Sequence, residues 1–136
     1  MAKMVLLSSY LNINSVDLSS YTTKIELSID VDEKDVTTFG SGGWKEVLGG
    51  IKSASLNATF QQDIAAAALD SQMFALIGSV VAFEVRLTSS ARSTSNPGYT
   101  GNVLIKQWNP ISGGVGDDAE SSVSWTPTGA VARQTS

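Results

Sequence analysis

The chain has no cysteine and no histidine among its 136 residues. The first absence rules out disulfides, thiolate nucleophiles and zinc–thiolate sites. The second removes the commonest general base and the commonest metal-ligating side chain. Charge is also scarce: charged residues make up 16% of the chain, with a net charge of −4 and a pI near 4.6. A nucleic-acid binder would carry a basic patch to neutralise phosphates, and this composition argues against one. Long apolar runs are missing too. The N-terminus Met1-Ala2-Lys3-Met4-Val5-Leu6-Leu7 has too short an apolar core for a secretory signal, and no stretch reaches the ~20 apolar residues of a membrane span. The expectation is a protein made in the cytoplasm with no membrane partner. Its surface, rich in serine and threonine but weakly charged, suits contact with other protein.

A chain of this length fits one domain, and such a domain buries roughly 68% of its unfolded surface. Period-two alternation is the dominant pattern. From Thr23 to Asp32, Ile25, Leu27, Ile29 and Val31 fall on one face, and Lys24, Glu26, Ser28, Asp30 and Asp32 on the other. From Ser53 to Gln61, Ala54, Leu56, Ala58 and Phe60 point one way. The opposite face, Ser53, Ser55, Asn57, Thr59 and Gln61, is uncharged and hydrogen-bonding. Strands are predicted at about 3–8, 23–39, 52–61, 80–88, 99–108 and 119–125. One helix is predicted over about 64–77, with Asp63 as N-cap, an Ala65–Ala68 run, a Leu69/Met73/Leu76/Ile77 stripe and Gly78 as the left-handed stop. Asn96-Pro97-Gly98-Tyr99 reads as a turn with positive φ at Gly98, and Val103-Leu104-Ile105 as a segment buried on both faces. The fold class is mainly β with one helix, a sheet or sandwich closed at one end by that helix. Residues 40–50 form a long loop, and 126–136 a polar C-terminal tail.

Candidate chemistry does not survive inspection. The acidic run Asp30-Val31-Asp32-Glu33-Lys34-Asp35 lacks the glycine and terminal glutamate of an EF-hand, which would fall at Asp35 and Ser41. The glycines from Gly40 to Gly50 have no Gly-Lys-Ser/Thr ending and no following helix, so they do not cradle phosphate. Asn57-Ala58-Thr59 matches a glycosylation sequon without the secretory context it needs. No lysine has a serine three residues before it, so the Ser-x-x-Lys pattern is missing. Glu84 and Glu120 are isolated carboxylates. The expectation is no enzyme, no metal and no cofactor. Trp44, Val47 and Leu48 stand out instead, because apolar residues on a long loop mark a partner contact or a loop folded back on the core.

The stretch Thr37-Thr38-Phe39-Gly40-Ser41-Gly42-Gly43-Trp44-Lys45-Glu46-Val47-Leu48-Gly49-Gly50-Ile51-Lys52-Ser53 resembles the major tail tube proteins of long-tailed bacteriophages. An acidic strand precedes it, and an alternating strand and a helix follow. The resemblance implies a tail-tube-type β-sandwich or barrel flanked by an α-helix. It also implies homo-hexameric rings that stack into a hollow tube, part of the virion, through which genome DNA passes without specific binding. The implied partners are further copies of the chain and the tape-measure, tail terminator and baseplate proteins. Gly40, Gly42, Gly43, Trp44, Lys45, Glu46, Val47 and Leu48 would form the ring-stacking loop. From Asp17 through Glu46 seven acids face three bases, a local balance of −4. The candidate lumen face is Glu26, Ser28, Asp30 and Asp32 with Ser53, Ser55, Asn57 and Thr59, since an acidic to neutral wall repels phosphates; the competing assignment puts one of these faces on the tube exterior. The alternative is another phage-type β module: a tail terminator, a capsid decoration or adhesion domain, or a contractile-tail or type VI tube protein.

Overall fold

The computed structural model describes residues 3–136. Seven strands and one helix follow one another as β1 (Tyr10–Ile13), β2 (Val16–Asp17), β3 (Thr22–Asp35), β4 (Val47–Gln61), α1 (Leu69–Leu76), β5 (Val80–Arg86), β6 (Gly98–Leu104) and β7 (Glu120–Gln134). They form one antiparallel sheet in the order β2-β1-β5-β6-β7-β4-β3. The sheet folds over on itself at β7. Residues from Glu120 to Trp125 pair with β4, and those from Thr126 to Gln134 pair with β6. One strand thus serves two layers, and the core fills the space between them.

That core is built from the alternating faces. Leu56, Ala58 and Phe60 of β4 meet Val123 and Trp125 of β7, Val81, Phe83 and Val85 of β5, and Leu11 and Ile13 of β1. Leu69 and Met73 of α1 close one end with Trp108. Phe60 sits between two tryptophans, with ring centroids 6.0 Å from Trp108 and 6.1 Å from Trp125, a tilted arrangement that suits aromatic quadrupoles. Both indole N–H groups have partners. Trp108 Nε1 donates to Asp70 Oδ1 at 3.0 Å, and Trp125 Nε1 to the Gln107 carbonyl at 2.8 Å.

The fold class agrees with the sequence, but several boundaries move. Residues 3–8 are not a strand: they are coil and bend with Met4, Val5, Leu6 and Leu7 exposed. The strand predicted at 23–39 ends at Asp35, and β4 begins at Val47, so the predicted loop over 40–50 loses its last four residues to a strand. The helix predicted over 64–77 is only Leu69–Leu76. Its N-cap is Ala68, without a side-chain cap. Asp63 instead accepts from the Ala65 amide at 3.0 Å, a local Asx turn, and Ala67 adopts φ 60°. Gly78 does stop the helix, at φ 85°.

The strands predicted at 80–88 and 99–108 end at Arg86 and Leu104. Gly98 is not a left-handed turn residue. It opens β6, where a Cβ would lie 2.7 Å from Glu84 Oε2. Val103 and Ile105 are buried and Leu104 only half-buried. Most of the predicted polar tail over 126–136 is strand: β7 runs to Gln134.

Candidate functional site

The cross-strand register settles which side chains share a surface. In β3–β4 the opposed pairs are Lys24/Thr59, Glu26/Asn57, Ser28/Ser55 and Asp30/Ser53 on one face, and Ile25/Ala58, Leu27/Leu56 and Ile29/Ala54 on the other. Directly opposed residues in an antiparallel pair point to the same side. The two halves of the predicted lumen face, one from each strand, therefore become one continuous polar face, and Asp32 extends it toward the hairpin tip. Asn57 Nδ2 donates to Glu26 Oε1 at 3.1 Å within it.

The face continues where the sequence reading did not look. Ser122 and Ser124 of β7 lie opposite Thr59 and Asn57, and Ser122 Oγ stands 3.1 Å from Thr59 Oγ1. The signal was present in Ser122-Val123-Ser124-Trp125, whose serines must face away from the core if the apolar pair faces in. The face is mostly hydroxyl and amide, with Glu26, Asp30, Asp32 and Glu120 against Lys24.

β3 is the terminal strand of the sheet. Its outer edge carries unpaired amides and carbonyls over fourteen residues, a template for pairing with another chain. The other terminal strand, β2, has only two residues.

Beyond the Leu56/Trp125 pair, β7 parts from β4, and β3–β4 continues alone as a two-stranded arm. Every residue from Ile29 to Ser53 is exposed except the half-buried Ser41. The predicted inward positions Ile29 and Val31 fall on this arm and are more than half exposed, since nothing packs against it. A bulge lies between the Val31/Lys52 and Glu33/Gly49 pairs. Gly49 and Gly50 fit it because a Cβ on either would approach β3 too closely, 3.1 Å from Val31 Cγ1 and 3.3 Å from the Asp32 carbonyl.

The arm's tip is ordered by hydrogen bonds. The Glu46 amide donates to Thr37 Oγ1 at 2.8 Å, and the Val36 amide to the Glu46 carbonyl at 2.9 Å. Thr38 and Ser41 cap the short 3₁₀ turn Phe39–Ser41 reciprocally. Hydrogen bonds from Thr37, its side chain first and then its amide, hold the Asp35 carboxyl below its ordinary value. The ion pairs Lys34–Asp32 and Lys45–Glu33, each 2.9 Å, are exposed and add little stability.

All the residues predicted for the stacking loop lie on this arm. Gly40, Gly42, Gly43, Trp44, Lys45 and Glu46 make the tip, and Val47 and Leu48 the start of β4. Phe39 and Ile51, which the sequence reading did not select, are at least as exposed as Trp44. Among the described residues no three acidic side chains gather as a metal site.

Such a molecule, a folded-over β sheet with one long open edge and an unsupported apolar arm, is shaped as a building block. A family model for phage tail tube proteins matches residues 18–133, and the chain belongs to that family. The chain also shares its fold with two solved structures. One is from the virion of a native gene transfer agent particle, at 20% identity and TM-score 0.74, over 93% of this chain and 95% of that one. The other is the tail of an empty gene transfer agent particle, refined helically with C6 symmetry, at 21% identity and TM-score 0.70, over 93% of each chain. Comparison with curated proteins gives no match.

Proposed function

We propose that the chain is a structural subunit, without catalytic activity, of a tail tube in a phage-type virion. Six copies join edge to edge through the open side of β3 into a ring, and rings stack through the β3–β4 arm into a hollow conduit. The polar face lines the lumen and genome DNA passes along it without specific binding. Supporting the sixfold count is the C6 symmetry of the similar gene transfer agent tail.

The observation that carries the reading is that the longest open edge and the weakly acidic polar face belong to the same hairpin. Pairing the open edge of β3 with a strand of a neighbouring copy extends the sheet, and closing such contacts under rotational symmetry makes a barrel. The face opposite the core then becomes one wall of that barrel. Hydroxyls, amides and a few carboxylates on the wall give an anionic polymer no counter-charge to bind. Length control, attachment and delivery then belong to the tape-measure, terminator and baseplate proteins of the same virion.

The deciding experiment images purified protein by negative stain and labels single-cysteine variants in assembled material. The chain has no native cysteine, so an introduced thiol reports alone. Tubes with sixfold end views are expected, with Ser55→Cys shielded from a bulky maleimide in tubes and reactive in free subunits. Ready labelling of Ser55→Cys in intact tubes would place that face outside and overturn the lumen assignment.

A further inference from the structure

One side of the folded-over sheet is closed and the other is open. β7 turns from one layer into the other and carries the sheet across with it. On the opposite side, Tyr10 and Leu11 of β1 and Thr22 to Ile25 of β3 line one cleft of about 470 Å³, yet no ladder joins the two strands. A second groove of about 400 Å³ has Ile25, Leu27 and Ile29 of β3 on one wall and Val85, Leu87 and Tyr99 on the other. Leu6 stands at the rim of both. An apolar space of ~150 Å³ already holds a benzene ring, so one leucine does not fill the groove.

The segment leading into β1 has the side chains for that space and the direction for that edge. Met4, Val5, Leu6 and Leu7 are consecutive, apolar and each more than half exposed. Its far end is fastened: Ser9 Oγ donates to the Leu87 carbonyl at 3.2 Å, and Tyr10 pairs with Arg86. Strand direction alternates along β3-β4-β7-β6-β5-β1, so β1 and the residues in line with it run opposite to β3. The order of contacts has the same sense. Leu7 and Ser8 line only the cleft with Thr22 to Ile25, whereas Leu6 also reaches the groove with Leu27 and Ile29.

We propose that Met4–Ser8 is a strap that closes as an antiparallel strand onto the first part of the β3 edge, with Leu6 beside Ile25 and Met4 beside Leu27. The bend at Leu7 and Ser8 is its hinge. Met4 and Leu6, two residues apart on a strand, point to one side and enter the groove. Their burial and the hydrogen bonds of the edge offset the lost freedom of a short segment already held at Ser9. The N-terminal strand then serves both layers as β7 does, and the sheet closes on itself, which removes the edge along that stretch. From Ser28 to Asp35 the edge stays open for a neighbouring copy. In a free subunit the strap therefore covers an apolar groove and part of an edge that invite indiscriminate pairing. The strap stands independently of the tube reading.

The test uses the full chain with Met4→Cys and Leu27→Cys, since no native cysteine competes. Met4 lines neither groove in the open arrangement, and a disulfide needs Cα atoms within ~7 Å, so the bond reports closure. Mild oxidation of dilute subunits is expected to give a monomeric disulfide. Leu6→Asp in the same background is expected to cut its yield at least ~10-fold, because a carboxylate does not enter an apolar groove. In the chain without cysteines, the outward amides between Thr23 and Leu27 should exchange at least ~10-fold more slowly than those between Ser28 and Asp35, at every protein concentration. Covalent dimers in place of the monomeric species, or protection that grows with concentration, would hand the segment to a second copy and overturn the strap. Absence of the bond, or uniform exchange along the whole edge, would overturn it as well. A chain that closes its strap and never polymerises would overturn the tube reading alone.

Discussion

Glu84 and Arg92 join in a two-point pair: Arg92 Nε donates to Oε2 at 2.8 Å and Nη2 to Oε1 at 3.0 Å. The pair fastens the loop after β5 to the sheet, and Arg86 Nη1 adds a third contact to the same carboxylate at 3.2 Å. The hydrogen bond from Arg92, with Arg86 and Arg92 charges assisting, holds the Glu84 carboxyl below its ordinary value of 4.5 against the opposing effect of burial.

A carboxyl with a lowered pKa in the folded state adds stability that is fully present above its unfolded value and is lost as pH falls through the folded one. The melting temperature of the unsubstituted chain should therefore drop more steeply than that of Glu84→Gln on acidification from about pH 6 to about pH 3. Parallel curves in calorimetric scans would assign no role to this pair. Gly98→Ala should mimic the glutamine variant, since its methyl group would lie 2.7 Å from Oε2 and push the carboxylate off Arg92.

A different glycine constrains the middle of β6, between β5 and β7. A Cβ on Gly101 would meet the Phe83 ring at 3.1 Å and the Ala130 carbonyl at 3.2 Å. The phenyl ring is buried and the carbonyl belongs to the backbone of β7, so neither yields freely. Gly101→Ala should destabilise the monomer by about 1–3 kcal/mol, the usual range for overpacking, read from urea unfolding with an unchanged slope.

The hydrogen bond from Trp108 to Asp70 predicts a graded series. Trp108 is buried and its N–H reaches only this carboxylate on α1. Asp70→Ala should cost about 1–3 kcal/mol by leaving a buried donor without a partner. Asp70→Asn keeps an acceptor oxygen and should recover most of that loss. Equal destabilisation by both would shift the explanation to packing of the helix.

What the sequence made legible were the segments with one buried and one solvent face. Ile25-Glu26-Leu27-Ser28 and Leu56-Asn57-Ala58-Thr59-Phe60 declare their faces by alternation because one side is core and the other water. The polar face could be assembled from them before any register was known. The second half of β7 was not legible. Thr126-Pro127-Thr128-Gly129-Ala130 carries a proline and a glycine, both poor strand residues, and is a strand only because β6 lies beside it, with an irregularity between Thr100 and Asn102 taking up Gly129 at φ 81°.

The helix failed in the opposite sense. Ala65–Ala68 has high helical propensity, but the core takes Leu69 and Met73, and the alanines are spent on the turn that delivers them. Met4 to Leu7 has the composition of a strand but joins no ladder. Of the site, the shared polar face of β3 and β4 was readable and the arm was not, because whether a glycine-rich stretch is loose or a braced hairpin depends on pairings such as Thr37 with Glu46.

The arm offers the sharpest separation of folding from assembly. Replacing residues 36–46 by a two-residue Asn-Gly turn removes Phe39, Trp44 and Lys45, none of which touches the core cluster. A type I′ turn matches the twist of the strands it would join, Asp35 and Val47, which already pair. Surface changes away from buried features usually stay within about 0.5 kcal/mol, so the midpoint of urea unfolding should hardly move. If the proposed stacking role is right, tubes should nevertheless fail to form, because the exposed apolar arm tip is gone. Sedimentation should find closed rings or single subunits in place of tubes at concentrations where the intact chain polymerises. If the shortened chain built tubes of normal length, the arm would be dispensable and stacking would have to come from the ring bodies alone.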